Sequence, residues 1–361
     1  MFRSVLSVLL TASLLLTLCV PAGGVSAAPS VSAASAVLID AQSGEVLYGK
    51  NETKRSQIAS LTKIMTAIAV IENCDLSSAL TVPKEAVGIE GSSAYLTEGE
   101  VFTVEELLYA LLLQSANDAA AALAVFCGGS VENFVITMNE KAEELGLGGT
   151  RFSNPHGLPA ENHYSAALDM AVLLSYCMKN ADFARICGTR EYIIKAGENR
   201  RARFFTNHNR LLFENTGVTG GKTGYTKSGG RCLCTCAEQN GVTLCAVTLN
   251  APDDWADHRA LYGYGFGLYS PVTLDCAGIY GLHIVGGVKD SVTASVCEDK
   301  TVYVRAGAKI TKYVYMRRFE YAPVYEGERI GSVVFYSDGK EIYKVPLYAD
   351  ITSTKKSAGF F

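Results

Sequence analysis

The stretch RCLCTCAEQNGVTLCAVTL, residues 231–249, decides the fold. Its two β-rich runs, 231–237 and 242–249, flank Asn240-Gly241, a dipeptide that suits the positive φ angles of a two-residue hairpin turn. A second hairpin is predicted near the other end of the region, where 36–40 and 45–49 are joined by Gln42-Ser43-Gly44. Between the hairpins the apolar period changes to that of helices. One helix is predicted to begin near Ser60 and to carry Ile64, Ile68 and Ile71 on one face. The next opens at Thr103, with Glu106 three residues on as a capping box. It breaks at Ser115-Ala116-Asn117 and resumes as far as Gly128-Gly129. A third, capped by Ser130, carries Phe134, Met138 and Ala142 at helical spacing and stops at Gly146. An amphipathic helix is predicted over about 254–268. Strands at both ends with helices between them fit an α/β (α+β) fold, in which helices pack on an antiparallel sheet whose first and last strands are neighbours.

Outside this region the composition shifts. From about residue 276, short alternating runs rich in Val and Tyr, such as 301–304, 313–316 and 331–335, predict a small all-β domain over 276–350. At the other end, Arg3 precedes an apolar run over 5–20, and Val25-Ser26-Ala27 offers small residues for cleavage. That pattern predicts a signal peptide over 1–27 and an exported product. The apolar run is short for a membrane span, which needs about 20 residues.

The 361-residue chain is 48% hydrophobic and 19% charged, enough apolar surface to bury a sizeable core. Its net charge of −4, without a sustained basic run, excludes nucleic acid as the expected partner. Ten of the eleven cysteines lie beyond the signal segment, since only Cys19 falls within it. Cys232, Cys234 and Cys236 alternate along one strand, and neighbours two apart on a strand are poorly placed to bridge each other. No Cys-x-x-Cys pair suggests zinc. Buried free thiols are the expectation.

Three short motifs carry chemistry: Ser60-Leu61-Thr62-Lys63, Ser115-Ala116-Asn117 and Lys222-Thr223-Gly224. A serine hydroxyl needs a base within hydrogen-bond reach to act as a nucleophile. Residues three apart on a helix share a face, so Lys63 can reach Ser60. To be a base, Lys63 must be desolvated or set beside another cation, and Lys222 could be that cation. A helix N-terminus at Ser60 brings backbone N–H groups toward a developing oxyanion. Ser115 could relay a proton to a leaving amine, and Asn117 could bind a substrate carbonyl. The glycines of Gly220-Gly221-Lys222-Thr223-Gly224 let a substrate backbone approach an edge strand, while Lys222 and Thr223 can hold a terminal carboxylate.

Together the three motifs resemble those of penicillin-binding proteins and serine β-lactamases. Their wording, with Gln114 to Ala119 and with Gly221-Lys222-Thr223-Gly224-Tyr225-Thr226, is similar to the low-molecular-mass D-alanyl-D-alanine carboxypeptidases, as is Asn154-Pro155-His156-Gly157-Leu158. The resemblance covers about 33–270 strongly and the β domain more loosely. It implies a catalytic domain of the β-lactamase/transpeptidase type followed by a β-sandwich-like domain. It further implies removal of the terminal D-alanine from peptidoglycan stem peptides ending in D-Ala-D-Ala, with β-lactam antibiotics as acylating inhibitors. By resemblance Ser60 forms the acyl-enzyme, Lys63 is the general base, and Ser115 with Lys222 moves protons. Asn117 holds the peptide and Thr223 the carboxylate, and the N–H groups of Ser60 and Tyr225 form the oxyanion hole. No metal or organic cofactor is implied, and His156 receives no catalytic role. Tyr225 stands where many relatives have histidine. No amphipathic C-terminal helix is evident, only Lys355-Lys356 and two phenylalanines, so peripheral membrane or cell-wall association is left open. A serine β-lactamase is the nearer alternative, but no Glu-x-x-Leu-Asn sequence lies between Asn117 and Lys222. A non-catalytic penicillin-recognising sensor or wall-binding module need not keep all three motifs.

Overall fold

The computed structural model describes Thr17–Cys19 and residues 27–356. The predicted signal segment lies outside the described residues except for Ala27 and Thr17–Cys19, and the latter runs antiparallel to Lys309, Ile310 and Thr311. Two compact units divide between Phe266 and Gly267.

The first unit is built on a five-stranded antiparallel sheet. Its strands are β1 (Ser35–Asp40), β2 (Val46–Lys50), β3 (Val218–Thr226), β4 (Gly230–Gln239) and β5 (Val242–Leu249), in the spatial order β2-β1-β5-β4-β3. The first and last strands in sequence, β1 and β5, pair directly, with Val37 opposite Val247, as the order of elements predicts. The Asn240-Gly241 hairpin joins β4 to β5, and both residues take positive φ.

Among the described residues, seven helices surround the sheet: α1 (Thr62–Asn73), α2 (Val104–Leu113), α3 (Asn117–Gly128), α4 (Val131–Glu144), α5 (Ala167–Cys177), α6 (Ala181–Gly188) and α7 (Asp254–Phe266). Every residue of α1 from Thr62 to Val70 is buried, so this helix runs through the core rather than lying on it. The capping box of α2 forms as read, with Glu106 N–H donating to Thr103 Oγ1 and Thr103 N–H donating back to Glu106 Oε2. The polar break at 114–116 separates α2 from α3, and Ser130 caps α4. Helices α5 and α6 and a small hairpin, Glu191–Ile194 with Arg203–Thr206, complete the unit beyond what the sequence pattern placed.

Strand β4, which lies between β5 and the edge strand β3, is covered on both faces. Cys234 Sγ lies against the Met170 carbonyl of α5, while Thr235 on the other face bonds His258 and Tyr262 of α7. The free-thiol expectation holds for Cys232 and Cys234 and fails for Cys236, which is bridged to Cys245. The two sit directly opposite on β4 and β5, with Cα atoms 4.2 Å apart. Alternation within one strand excludes bridges along it and says nothing of the strand beside it.

The second unit is all β among its described elements. Lys309–Met316, Arg329–Ser337 and Lys340–Tyr348 form an antiparallel sheet, and Ser291–Val296, Gly278–Val285 and Phe319–Tyr321 form another. Its core includes Leu282, Val292, Val333, Phe335 and Leu347. No single helix among the described residues is long and apolar enough to cross a membrane.

Candidate active site

The three motifs, spread along more than 150 residues of sequence, meet around one cleft of about 310 Å³ in the first unit. Ser60, Ser115, Thr223, Gly224 and Tyr225 line it, with His208, Arg231 and Trp255 beside them.

Ser60 is presented by a tight turn. Ala59–Leu61 form a 3-10 turn, and α1 proper begins only at Thr62, slightly later than the sequence spacing predicts. Ala59 takes φ +48°, an unusual conformation for a residue with a Cβ. Its carbonyl accepts from Thr62 Oγ1 at 2.9 Å. Two glycines crowd this turn. A Cβ on Gly224 would lie 3.1 Å from the Ser60 nitrogen, and one on Gly157 would lie 2.0 Å from the Ala59 oxygen. A side chain at position 224 would crowd this turn, so glycine there eases the close approach of strand β3 to the N–H of Ser60.

Lys63 is fully buried, and its Nζ has three neighbours: Ser60 Oγ at 2.9 Å, Asn117 Oδ1 at 2.7 Å and the His156 carbonyl at 2.6 Å. Two of these can only accept. A neutral amine has two N–H bonds and one lone pair, so donation to Asn117 and His156 turns the lone pair toward the Ser60 hydroxyl. Burial first, and the Lys222 cation second, hold the Lys63 ammonium well below its ordinary range, against a weaker upward pull from Asp118.

Ser115 takes φ +63° in the break between α2 and α3, which turns its side chain to the cleft. Asn117 behaves differently from a free substrate ligand. It is buried, its Oδ1 accepts from Lys63, and its Nδ2 donates to the Glu90 carbonyl at 2.5 Å. The next residue, Asp118, accepts from Ser93 Oγ and from the N–H groups of Ala94 and Leu96. One turn of α3 thus fixes both Lys63 and the cleft wall at 90–96.

Lys222-Thr223-Gly224 lies within β3 itself, not in a turn before it, and β3 is an edge of the five-stranded sheet. Lys222 is buried, donates to the Thr223 carbonyl at 2.9 Å, and has its pKa pushed down to about 7 by burial. Beneath the strand, Cys187 Sγ accepts from Gly221 N–H at 3.0 Å. Tyr225 is 67% exposed, so its ring reaches solvent rather than the core.

The residue the motifs do not announce is His156. Burial, then Lys63, then His163 lower the pKa of its ring to about 4. It meets Lys63 through its carbonyl, in a loop that α1 grips through Thr66 Oγ1, which donates to the Pro155 carbonyl at 2.6 Å. The distinctive wording Asn154-Pro155-His156-Gly157-Leu158 was the available signal. His208 also faces the cleft, with a pKa lowered by burial and by Lys222, and nothing in its local sequence marks it.

Comparison with known proteins gives a consistent set of likenesses. The family model described as D-alanyl-D-alanine carboxypeptidase matches residues 23–253, and that of the penicillin-binding protein 5 C-terminal domain matches residues 282–355. The chain is 33% identical to the D-alanyl-D-alanine carboxypeptidase DacF of Bacillus subtilis, over 91% of this chain and 87% of that protein. It is 32% identical to the D-alanyl-D-alanine carboxypeptidase DacC of Escherichia coli, over 92% and 87% respectively. Among solved structures, penicillin-binding protein 5 from Haemophilus influenzae superposes with a TM-score of 0.65 at 28% identity, covering 91% of this chain and 100% of that one. A Streptomyces K15 DD-transpeptidase variant gives 0.64 at 32% identity, covering 66% and 100%.

Proposed function

The chain belongs to the D-alanyl-D-alanine carboxypeptidase family, and from that premise we infer that Ser60 is its acylated residue. The activity is that of a serine-type D-Ala-D-Ala carboxypeptidase. The observation that carries the assignment of residues is the environment of Lys63, a buried amine whose two acceptors leave its lone pair for Ser60.

In the proposed cycle Lys63 takes the Ser60 proton and Ser60 Oγ attacks the carbonyl of the penultimate D-alanine. The N–H groups of Ser60 and Tyr225 hold the oxyanion, a type of contact worth roughly 3 kcal/mol in the transition state. Collapse breaks the peptide bond. Ser115 and Lys222 relay the proton held by Lys63 to the departing amine, and free D-alanine leaves. Water then attacks the acyl-enzyme, Lys63 takes its proton, and that proton passes to Ser60 Oγ as the ester bond breaks. Lys222 and Thr223 hold the terminal carboxylate, and Gly224 keeps β3 close to the nucleophile. Asn117 orients Lys63 and, on substrate binding, meets the peptide.

We assign the catalytic domain to 33–270 and a separate β-sandwich-like domain to 276–350. The division at Phe266 and the two matching family models support that assignment. The substrates are peptidoglycan stem peptides ending in D-Ala-D-Ala, and β-lactam antibiotics acylate the same serine. The substrate's place outside the cytoplasm and the apolar N-terminus support an exported protein, cleaved near residue 27.

The test uses a pentapeptide ending in D-Ala-D-Ala. Wild type should release D-alanine and take up a fluorescent penicillin, and Ser60→Ala should do neither. Lys63→Ala should bind substrate with little acylation. Labelling of Lys63→Ala at the wild-type rate would remove Lys63 from the role of base.

A further inference from the structure

His163 is a buried imidazole that the proposed cycle does not use, and it joins the two segments that deliver the nucleophile and the partner of its base. Ser153 N–H donates to His163 Nδ1 at 3.0 Å, so that nitrogen carries no proton. The other, Nε2, therefore bears the hydrogen, and it lies 2.8 Å from Thr62 Oγ1. With its oxygen accepting from the imidazole, the Thr62 hydroxyl is directed onto the Ala59 carbonyl at 2.9 Å. A continuous chain of hydrogen bonds thus runs from the Ser153 backbone, through the ring, to the strained residue immediately before Ser60. The Phe152 ring meets the imidazole edge-on, with centroids 6.0 Å apart.

Both ends of this chain are places where position matters. Ala59 holds a positive φ that a residue with a Cβ adopts only when its surroundings impose it. Three residues after Ser153, the His156 carbonyl is one of the two acceptors that orient Lys63. Gly157 packs against the same Ala59 carbonyl, which makes turn and loop a single unit.

We propose that His163 is a positioning residue for acyl transfer: through Thr62 it holds the Ala59 turn, and through Ser153 it holds the loop bearing the His156 carbonyl, so that Ser60 and Lys63 stay in register. The ring stays neutral and touches no reacting atom. The proposal rests on Ser60 and Lys63 being the reacting pair, and the wild-type and Ser60→Ala controls test that pair separately.

The experiment compares His163→Ala, His163→Gln, Thr62→Val and the double variant His163→Ala/Thr62→Val in the full chain. It measures acylation by fluorescent penicillin, kcat and KM on a D-Ala-D-Ala peptide, and thermal midpoint. Glutamine keeps an N–H donor near the place of Nε2. His163→Ala and Thr62→Val should each lower acylation and kcat by at least tenfold with KM within about threefold of wild type. His163→Gln should restore the rate to within about fivefold, and the double variant should be little worse than either single one. A folded His163→Ala or Thr62→Val protein that acylates within twofold of wild type overturns the proposal. So does a His163→Gln protein as slow as His163→Ala, or a double variant whose losses multiply.

Discussion

Lys63 Nζ lies 2.7 Å from Asn117 Oδ1, and that single contact ties the first motif to the second inside the core rather than across the cleft. Its chemistry depends on the amide being neutral. Asn117→Asp places an anion of nearly the same shape beside the amine and favours the ammonium form, typically by 1–3 pKa units. The acid limb of the acylation rate should move to higher pH, with the rate at pH 7 falling by about 10- to 100-fold and recovering above pH 9. Stopped-flow labelling across pH reads this directly. An unshifted limb refutes the inward orientation of the Lys63 amine.

Lys222 acts on the same equilibrium from the other direction. A cation beside an amine disfavours its protonation, so removing that cation raises the pKa of Lys63. Lys222→Gln should therefore move the acid limb upward while leaving a donor for the Thr223 carbonyl. In the wild type, Lys222 loses its own proton as pH rises through about 7. The hold on a terminal carboxylate should weaken over that window, so KM for a carboxylate-ended peptide should rise, and KM for its C-terminal amide should rise less.

Gly157→Ala tests the packing of the nucleophile's turn. The new methyl would meet the Ala59 carbonyl at 2.0 Å, and φ is +89°, so neither space nor backbone accommodates it. We expect a loss of about 3 kcal/mol or more in stability, seen as a lowered urea midpoint, together with acylation below a tenth of wild type. Ordinary stability and labelling would show that the loop stands further from Ser60.

The Cys236–Cys245 bridge closes a short loop, with nine residues of separation. Replacing both cysteines by alanine should cost about 2 kcal/mol, lowering the thermal midpoint by roughly 4–8 °C. Turnover at 25 °C should be unchanged, because neither sulfur faces the cleft. A matching fall in kcat would show that the β4–β5 pairing governs the geometry of β3.

Much of this was legible in the chain because periodicity and capping are local. Thr103 with Glu106, Ser130 and Asn240-Gly241 each announce an element through contacts within a few residues, and the strand–helix–strand order was enough to pair β1 with β5. The motif residues were legible for the same reason. What escaped depends on contacts across the fold. The His156 carbonyl reaches a lysine 93 positions away, and a backbone oxygen has no letter in the sequence. Cys236 meets Cys245 only because two strands register, and His208 faces the cleft only because the chain returns there after α6. Asn117 was read as a residue that holds the substrate, and its inward amide could not be inferred without knowing where Lys63 and Glu90 lie.

The sealing of Lys63 has a consequence for proton traffic. Two of its three polar neighbours are acceptors embedded in the protein, and the third is Ser60, the only one of the three that lines the cleft. Ser60 is therefore the neighbour through which a proton on this amine meets the cleft. In the proposed cycle that proton is handed on first to the amine that has just been cut free and then, in the second half, to the oxygen released from its ester.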